Sequence, residues 1–268
     1  DEAATEDVDE GLDQLIAPEG SVSGFVGLAL PGTPDVYLQK DYRNANAARI
    51  NWELRVDQAP SGPVTLGWES RLIPEDVIMT LAELDANGAI VPGTQTDMAA
   101  TSRQDLSVPE GGARYRISCV SLLPAAETIE LRSGWNLISF GLVPEGAQVK
   151  TVLEGIDVNA VYEYDQKLKR YVEASSIVPG IGYWLHSNEE ATITNDGIPA
   201  TGVAIPLAKG WNLVGPFASC PVPDNPAIDQ GSIWTYDETG DYKQVKRSLE
   251  AGKAYWIYAY ASTELILE

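Results

Sequence analysis

Gly134-Trp135-Asn136-Leu137-Ile138 returns further along the chain as Gly210-Trp211-Asn212-Leu213-Val214. Two more stretches return with it. Val161-Tyr162-Glu163-Tyr164-Asp165 is echoed by Ile233-Trp234-Thr235-Tyr236-Asp237, and Gly180-Ile181-Gly182-Tyr183-Trp184-Leu185 by Gly252-Lys253-Ala254-Tyr255-Trp256-Ile257. The offset is 76 residues at the first match and 72 at the other two. The last half of the chain therefore reads as one small unit used twice, with a loop four residues shorter in the second copy.

Working outward, the first repeat spans 127–197 and the second 201–268, after a joint at Leu122-Leu123-Pro124-Ala125-Ala126. Each opens with a strand carrying the Gly-Trp-Asn-Leu motif. In the first, Val149, Val152 and Leu153 predict a short helical turn stopped at Gly155. The second has Pro221, Pro223 and Pro226 there, which disfavours a helix. A hairpin follows at Tyr164-Asp165 and Tyr236-Asp237, then a strand bearing Tyr183-Trp184 or Tyr255-Trp256. Trp135, Asn136, Trp184, Trp211, Asn212 and Trp256 recur with the motif and are read as structural, since residues that determine a fold must recur. Gly-Trp-Asn-Leu, Tyr-x-Tyr-Asp and Gly-x-Gly/Ala-Tyr-Trp resemble a repeat module of secreted and surface proteins of bacteria and archaea. The resemblance implies an extracellular or cell-surface location and adhesive or spacer company.

Upstream, residues 21–123 read as an antiparallel β-sandwich. Ile50, Trp52, Leu54 and Val56 alternate with Asn51, Glu53, Arg55 and Asp57, the period of a half-buried strand. Val64, Leu66 and Trp68 repeat the pattern, Val77 to Leu84 reads as a more buried strand, and Asn87-Gly88 is a hairpin signal. The run Pro74-Glu75-Asp76-Val77-Ile78-Met79-Thr80-Leu81, with Arg114-Tyr115-Arg116-Ile117, is similar to Ig-like modules of secreted bacterial proteins, the FlgD-type fold among them. Uncharged Ser21–Pro34 predicts a strand, either the first of this domain or one donated to a neighbouring subunit. Residues 1–20 form an acidic leader. Val8, Leu12, Leu15 and Ile16 share one helical face, so the leader is either a short docked helix or disordered.

Eighteen Lys plus Arg against 39 Asp plus Glu leave a net charge of −21, which repels nucleic acid phosphates and anionic lipid. The acidity reads first as a solvated surface that favours solubility, with calcium or basic partners as the alternative. No run approaches the ~20 apolar residues of a membrane helix, so no membrane insertion is expected. Cys119 and Cys220 are too few for a disulfide framework or a zinc site, and read as a buried thiol and a loop thiol, with a single bridge between them as the alternative. The one histidine, His186, aligns with Tyr258, so the repeat does without it. No nucleophile elbow, zinc-protease helix or phosphate loop occurs. A cofactor-free, non-enzymatic protein is expected.

Two sets of residues are candidates for contact. Tyr162 and Tyr164, with their counterparts Trp234 and Tyr236, sit two apart and point to one face of a strand. They form either an aromatic strip for sugar rings or the small core of each repeat. Lys167, Lys169 and Arg170 cluster by the first hairpin, and Lys243, Lys246 and Arg247 by the second. Together they are six of the 18 basic residues, placed to meet the acidic leader. The expected protein is mainly β: an Ig-like β-sandwich followed by two tandem homologous small β-rich modules. Its expected role is a structural, adhesive, spacer or self-assembling one through protein contact. The alternative is a carbohydrate-binding module that holds glycan.

Overall fold

The computed structural model describes residues 48–57, 62–110, 112–237 and 239–267, together with the strand segments Gln14–Leu15, Phe25–Ala29 and Tyr37–Lys40. Among these residues the protein is mainly β. Helix is confined to the 3-10 turn Ser70–Leu72 and to α1, Val149–Val152. The chain forms two compact units: 1–85 with 93–123, and 86–92 with 124–268.

The first unit holds β1 (Gln14–Leu15), β2 (Phe25–Ala29), β3 (Tyr37–Lys40), β4 (Arg49–Asp57), β5 (Gly62–Gly67), β6 (Val77–Glu83), β7 (Thr96–Asp97), β8 (Arg103–Val108) and β9 (Ala113–Ser121). Seven of them pair in the order β1-β3-β2-β4-β9-β6-β7, and β5 and β8 form a separate ribbon. The alternation in β4 does what its period requires: Leu54 and Val56 are buried while Asn51 is exposed. They share a core with Leu81, Leu106, Val108 and Tyr115, so the ribbon covers the large sheet. The two layers are unequal, seven strands against two.

Three expectations meet the structure here. Gln14 and Leu15 pair with β3 as strand, so the helix predicted through Leu15 does not extend over them; the rest of that helix lies outside the described residues. Phe25–Ala29 pairs antiparallel with β4 and β3, as a strand of the first sheet. Asn87-Gly88 does turn, with Gly88 at φ 85°, but β6 ends at Glu83 and its partner β7 begins at Thr96, so the link is a long loop.

The second unit holds both repeats. The first contributes β10 (Ala125–Leu131), β11 (Gly134–Ser139), β12 (Leu142–Pro144), α1, β13 (Val158–Asp165), β14 (Arg170–Glu173), β15 (Gly182–Ser187) and β16 (Ala191–Pro199). The second contributes β17 (Ile205–Leu207), β18 (Gly210–Val214), β19 (Cys220–Pro221), β20 (Ile228–Tyr236), β21 (Tyr242–Gln244), β22 (Ser248–Leu249), β23 (Tyr255–Ala259) and β24 (Thr263–Leu265). One four-stranded sheet runs β11-β15-β13-β14 and the other β18-β23-β20-β21. The short helix exists only in the first repeat; residues 221–227 carry none.

The same local devices build both sheets. Gly134 and Gly210 adopt φ of 96° and 105°, the left-handed region that a Cβ disfavours. The following asparagine then staples the turn. Asn136 Oδ1 accepts from the Arg132 amide while its Nδ2 donates to the Arg132 and Gly134 carbonyls. Asn212 does the same with Ala208 and Gly210. Tyr183 and Tyr255 are buried in corresponding places. The Val178 amide donates to the Tyr183 hydroxyl at 2.8 Å, and the Glu250 amide to the Tyr255 hydroxyl at 2.7 Å. Each phenol thus anchors the loop before its strand from inside a core of its own.

The two repeats meet through reciprocal contacts. The Ser139 amide donates to the Gly252 carbonyl and the Gly215 amide to the Gly180 carbonyl, both at 3.1 Å. Ile138 bridges to Lys253, and Val214 to Ile181. Each pair is the other with the repeats exchanged, which is the signature of an approximate two-fold relation. Leu137, Leu213, Ala254 and Trp256 are buried at this junction.

Candidate functional site

Flanking that junction are two clefts built from the same kinds of residue. Trp135, Tyr162, Tyr171, Trp184 and Tyr236 line the first, of about 470 Å³. Trp211, Trp234, Tyr242, Trp256 and Tyr164 line the second, of about 490 Å³. Taken in that order the two sets correspond position by position. Each cleft takes four rings from one repeat and a fifth, Tyr236 or Tyr164, from the other.

The ring geometry repeats as closely as the backbone. Trp184 stands edge-on to Tyr236 at 4.8 Å, and Trp256 to Tyr164 at 4.9 Å. Tyr171 meets Trp256 at 6.2 Å and Tyr242 meets Trp184 at 6.3 Å. Within each repeat Trp135 meets Trp184 at 5.9 Å and Trp211 meets Trp256 at 6.3 Å, both at 89°. Edge-to-face pairs of this kind contribute about 0.5–1.5 kcal/mol each beyond their burial, so the rings also hold the repeats together.

These placements change the reading of the predicted residues. Tyr162 and Tyr164 leave one strand on one face, but they line different clefts, as do Trp234 and Tyr236. The rings are neither purely core nor purely open: Tyr164, Trp184, Trp234 and Tyr236 pack against the junction core while still lining a cleft. Asn136, Asn212 and Trp256 are buried, and Trp184 is half-buried. Trp135 and Trp211, read as structural, are 40% and 43% exposed and line the clefts. Tyr171 and Tyr242 were not singled out from sequence. Each sits directly across its hairpin from Tyr164 or Tyr236, so cross-strand pairing was the signal that would have found them.

Lys167, Lys169, Arg170, Lys243, Lys246 and Arg247 are all exposed, at or just beyond the two hairpins. Apart from Gln14 and Leu15, the acidic leader they were expected to meet lies outside the described residues. Part of their charge is matched locally. The Leu168 amide, then the Lys167 amide and the charges of Lys167 and Arg170, hold the Asp165 carboxyl below the usual carboxylate range. The Thr239 hydroxyl heads the causes that hold Asp237 low, with Lys243 adding to them.

Arg132 lies against one ring of the first cleft. Arg132 donates through Nε and Nη2 to the Trp135 carbonyl, both at 3.2 Å, and its guanidinium lies 4.9 Å from the centre of the Tyr236 ring. His186 lies edge-on to Trp135 at 5.0 Å, and its Nδ1 is 3.3 Å from the Asn159 amide. Cys119 is half-buried and Cys220 is buried, and no disulfide joins them. Among the described residues no group of three or more His, Cys, Asp or Glu is placed to hold a metal ion, and no helix is long and apolar enough to cross a membrane. Comparison with protein-family models, with curated proteins and with solved structures gave no match.

Proposed function

We propose that this is a non-enzymatic, extracellular or cell-surface contact protein whose second unit binds carbohydrate through the paired aromatic clefts. In this reading an Ig-like sandwich serves as spacer and two tandem homologous modules form the adhesive head. The carrying observation is the exposure of Trp135 and Trp211 at corresponding walls of two corresponding clefts. Large rings left in water at duplicated positions mark a contact surface. Both cleft volumes fall within the roughly 300–1,000 Å³ typical of small-ligand sites. Flat apolar rings beside phenol hydroxyls match the apolar faces and hydroxyl edges of a pyranose. Two sites on one body also raise retention on a repeating polymer, by about 10²–10⁴ where both engage. The extracellular location rests on the resemblance of the repeat motifs to modules of secreted proteins.

Calorimetric titration with oligosaccharides tests this reading, using wild type, Trp135→Ala, Trp211→Ala and the double variant. The expected stoichiometry is two sites for wild type, one for each single variant and none for the double, with the fold retained and stability lowered by about 0.5–1.5 kcal/mol for each edge-to-face pair lost. Loss of folding in the single variants, or binding indifferent to both changes, would sink it.

A further inference from the structure

The clefts match in their rings but not in their charge. The backbone positions of Arg132 and Ala208 correspond, since each amide donates to the side-chain oxygen of its repeat's asparagine, Asn136 or Asn212. Arg132 therefore brings a guanidinium over Tyr236, a ring of the first cleft, where the second repeat has only an alanine at the corresponding position. The placement is defined: two N–H groups are committed to the Trp135 carbonyl, and the plane lies over Tyr236. Both of those residues line the first cleft. A guanidinium carries five N–H donors, so three remain. Among the described residues no carboxylate comes within 4.0 Å of Arg132 to take them. An arginine held beside an aromatic wall, with no carboxylate partner among the described residues, is suited to contact an anion.

Resting on the glycan reading above, we propose that the first cleft selects a uronic acid residue while the second takes a neutral sugar. The pyranose ring lies on the aromatic wall that includes Trp135 and Tyr162, and its carboxylate meets the free edge of the Arg132 guanidinium. The overall charge of −21 does not forbid this. At physiological salt, charges farther than about 8 Å are largely screened, whereas a guanidinium in contact is not. The protein is then a reader of mixed acidic and neutral polysaccharide rather than of a uniform one.

The test is binding at physiological salt of an oligogalacturonide, its carboxyl-reduced neutral counterpart, and an acidic peptide of equal charge. Wild type should hold the uronate at one site with about tenfold preference over the reduced form, the scale of one charge-assisted hydrogen-bonded contact. Arg132→Ala should erase that preference and leave neutral sugar bound at the second cleft. Ala208→Arg should install it at the second site, over Tyr164, so a folding defect in Arg132→Ala does not decide the matter. Equal binding of uronate and reduced sugar, or a preference that survives Arg132→Ala, would overturn the proposal while leaving the glycan reading standing. Binding of the peptide as tightly as the uronate would overturn it in favour of an acidic protein partner. Failure of every sugar to bind would remove the glycan reading itself.

Discussion

Ser139 and Gly215 occupy corresponding positions in the two repeats and face one another across the junction, so closely that a Cβ on Gly215 would collide with that of Ser139. The approximate two-fold relation thus brings two equivalent positions together where only one has room for a side chain. The Ser139 hydroxyl uses that room to donate to the Lys253 carbonyl at 2.8 Å. Gly182 and Ala254 form a second such pair. A Cβ on Gly182 would lie 2.7 Å from that of Ala254.

Gly215→Ala should therefore destabilise the protein by about 1–3 kcal/mol, the usual cost of overpacking. The decisive variant is the exchange Ser139→Gly with Gly215→Ser. It keeps one side chain at the contact and should recover most of the loss. Chemical denaturation of the three chains measures this. An exchange no better than Gly215→Ala alone would refute the equivalence of the two positions.

Burial pushes the phenols of Tyr183 and Tyr255 up from the ordinary value of 10.0 to about 12, outweighing the hydrogen bonds from Val178 and Glu250. A raised acid pKa means the folded state holds its proton longer than the unfolded chain. The associated stability is complete below pH 10 and is lost as pH rises to about 12, roughly 3 kcal/mol for each phenol. Alkaline unfolding between pH 10 and 12 is expected, coincident with tyrosinate absorbance. Tyr183→Phe and Tyr255→Phe should flatten that pH dependence. At neutral pH each should cost about 1–3 kcal/mol for the amide left without a partner.

Asn136→Ala and Asn212→Ala should each cost about 1–3 kcal/mol, because each leaves a turn amide and two carbonyls unanswered. Neither should alter sugar binding beyond its effect on folding. Trp135→Ala and Trp211→Ala should each lose one site outright, a loss larger than their effect on melting accounts for. Differential scanning calorimetry beside the titrations separates the two classes. A loss of binding no larger than the melting loss accounts for would mean that the exposed tryptophans serve the fold alone.

Neighbours in one motif came out with different duties. Trp135 and Asn136 recur together, yet strand alternation sends one outward and the other inward. The recurrence was legible in the sequence; which of the two faced water was not. The hairpin aromatics were legible as a face of one strand. Their division between two clefts was not, because Tyr164 and Tyr236 each find their place against the tryptophan of the other repeat, Trp256 and Trp184.

The sequence by itself determined the mainly β character, the recurrence at 76 and 72 residues, and the acidity, because side-chain period, turn residues and charge are local properties. It also marked the residues that build each turn. The tertiary structure alone decided that the repeats meet face to face, that five rings converge at each cleft, and that Arg132 stands over a ring more than one hundred residues away. Those relations arise from apolar surface left over once each small sheet has formed. The direction in which that surface is buried depends on the whole shape of the partner, which no local pattern encodes.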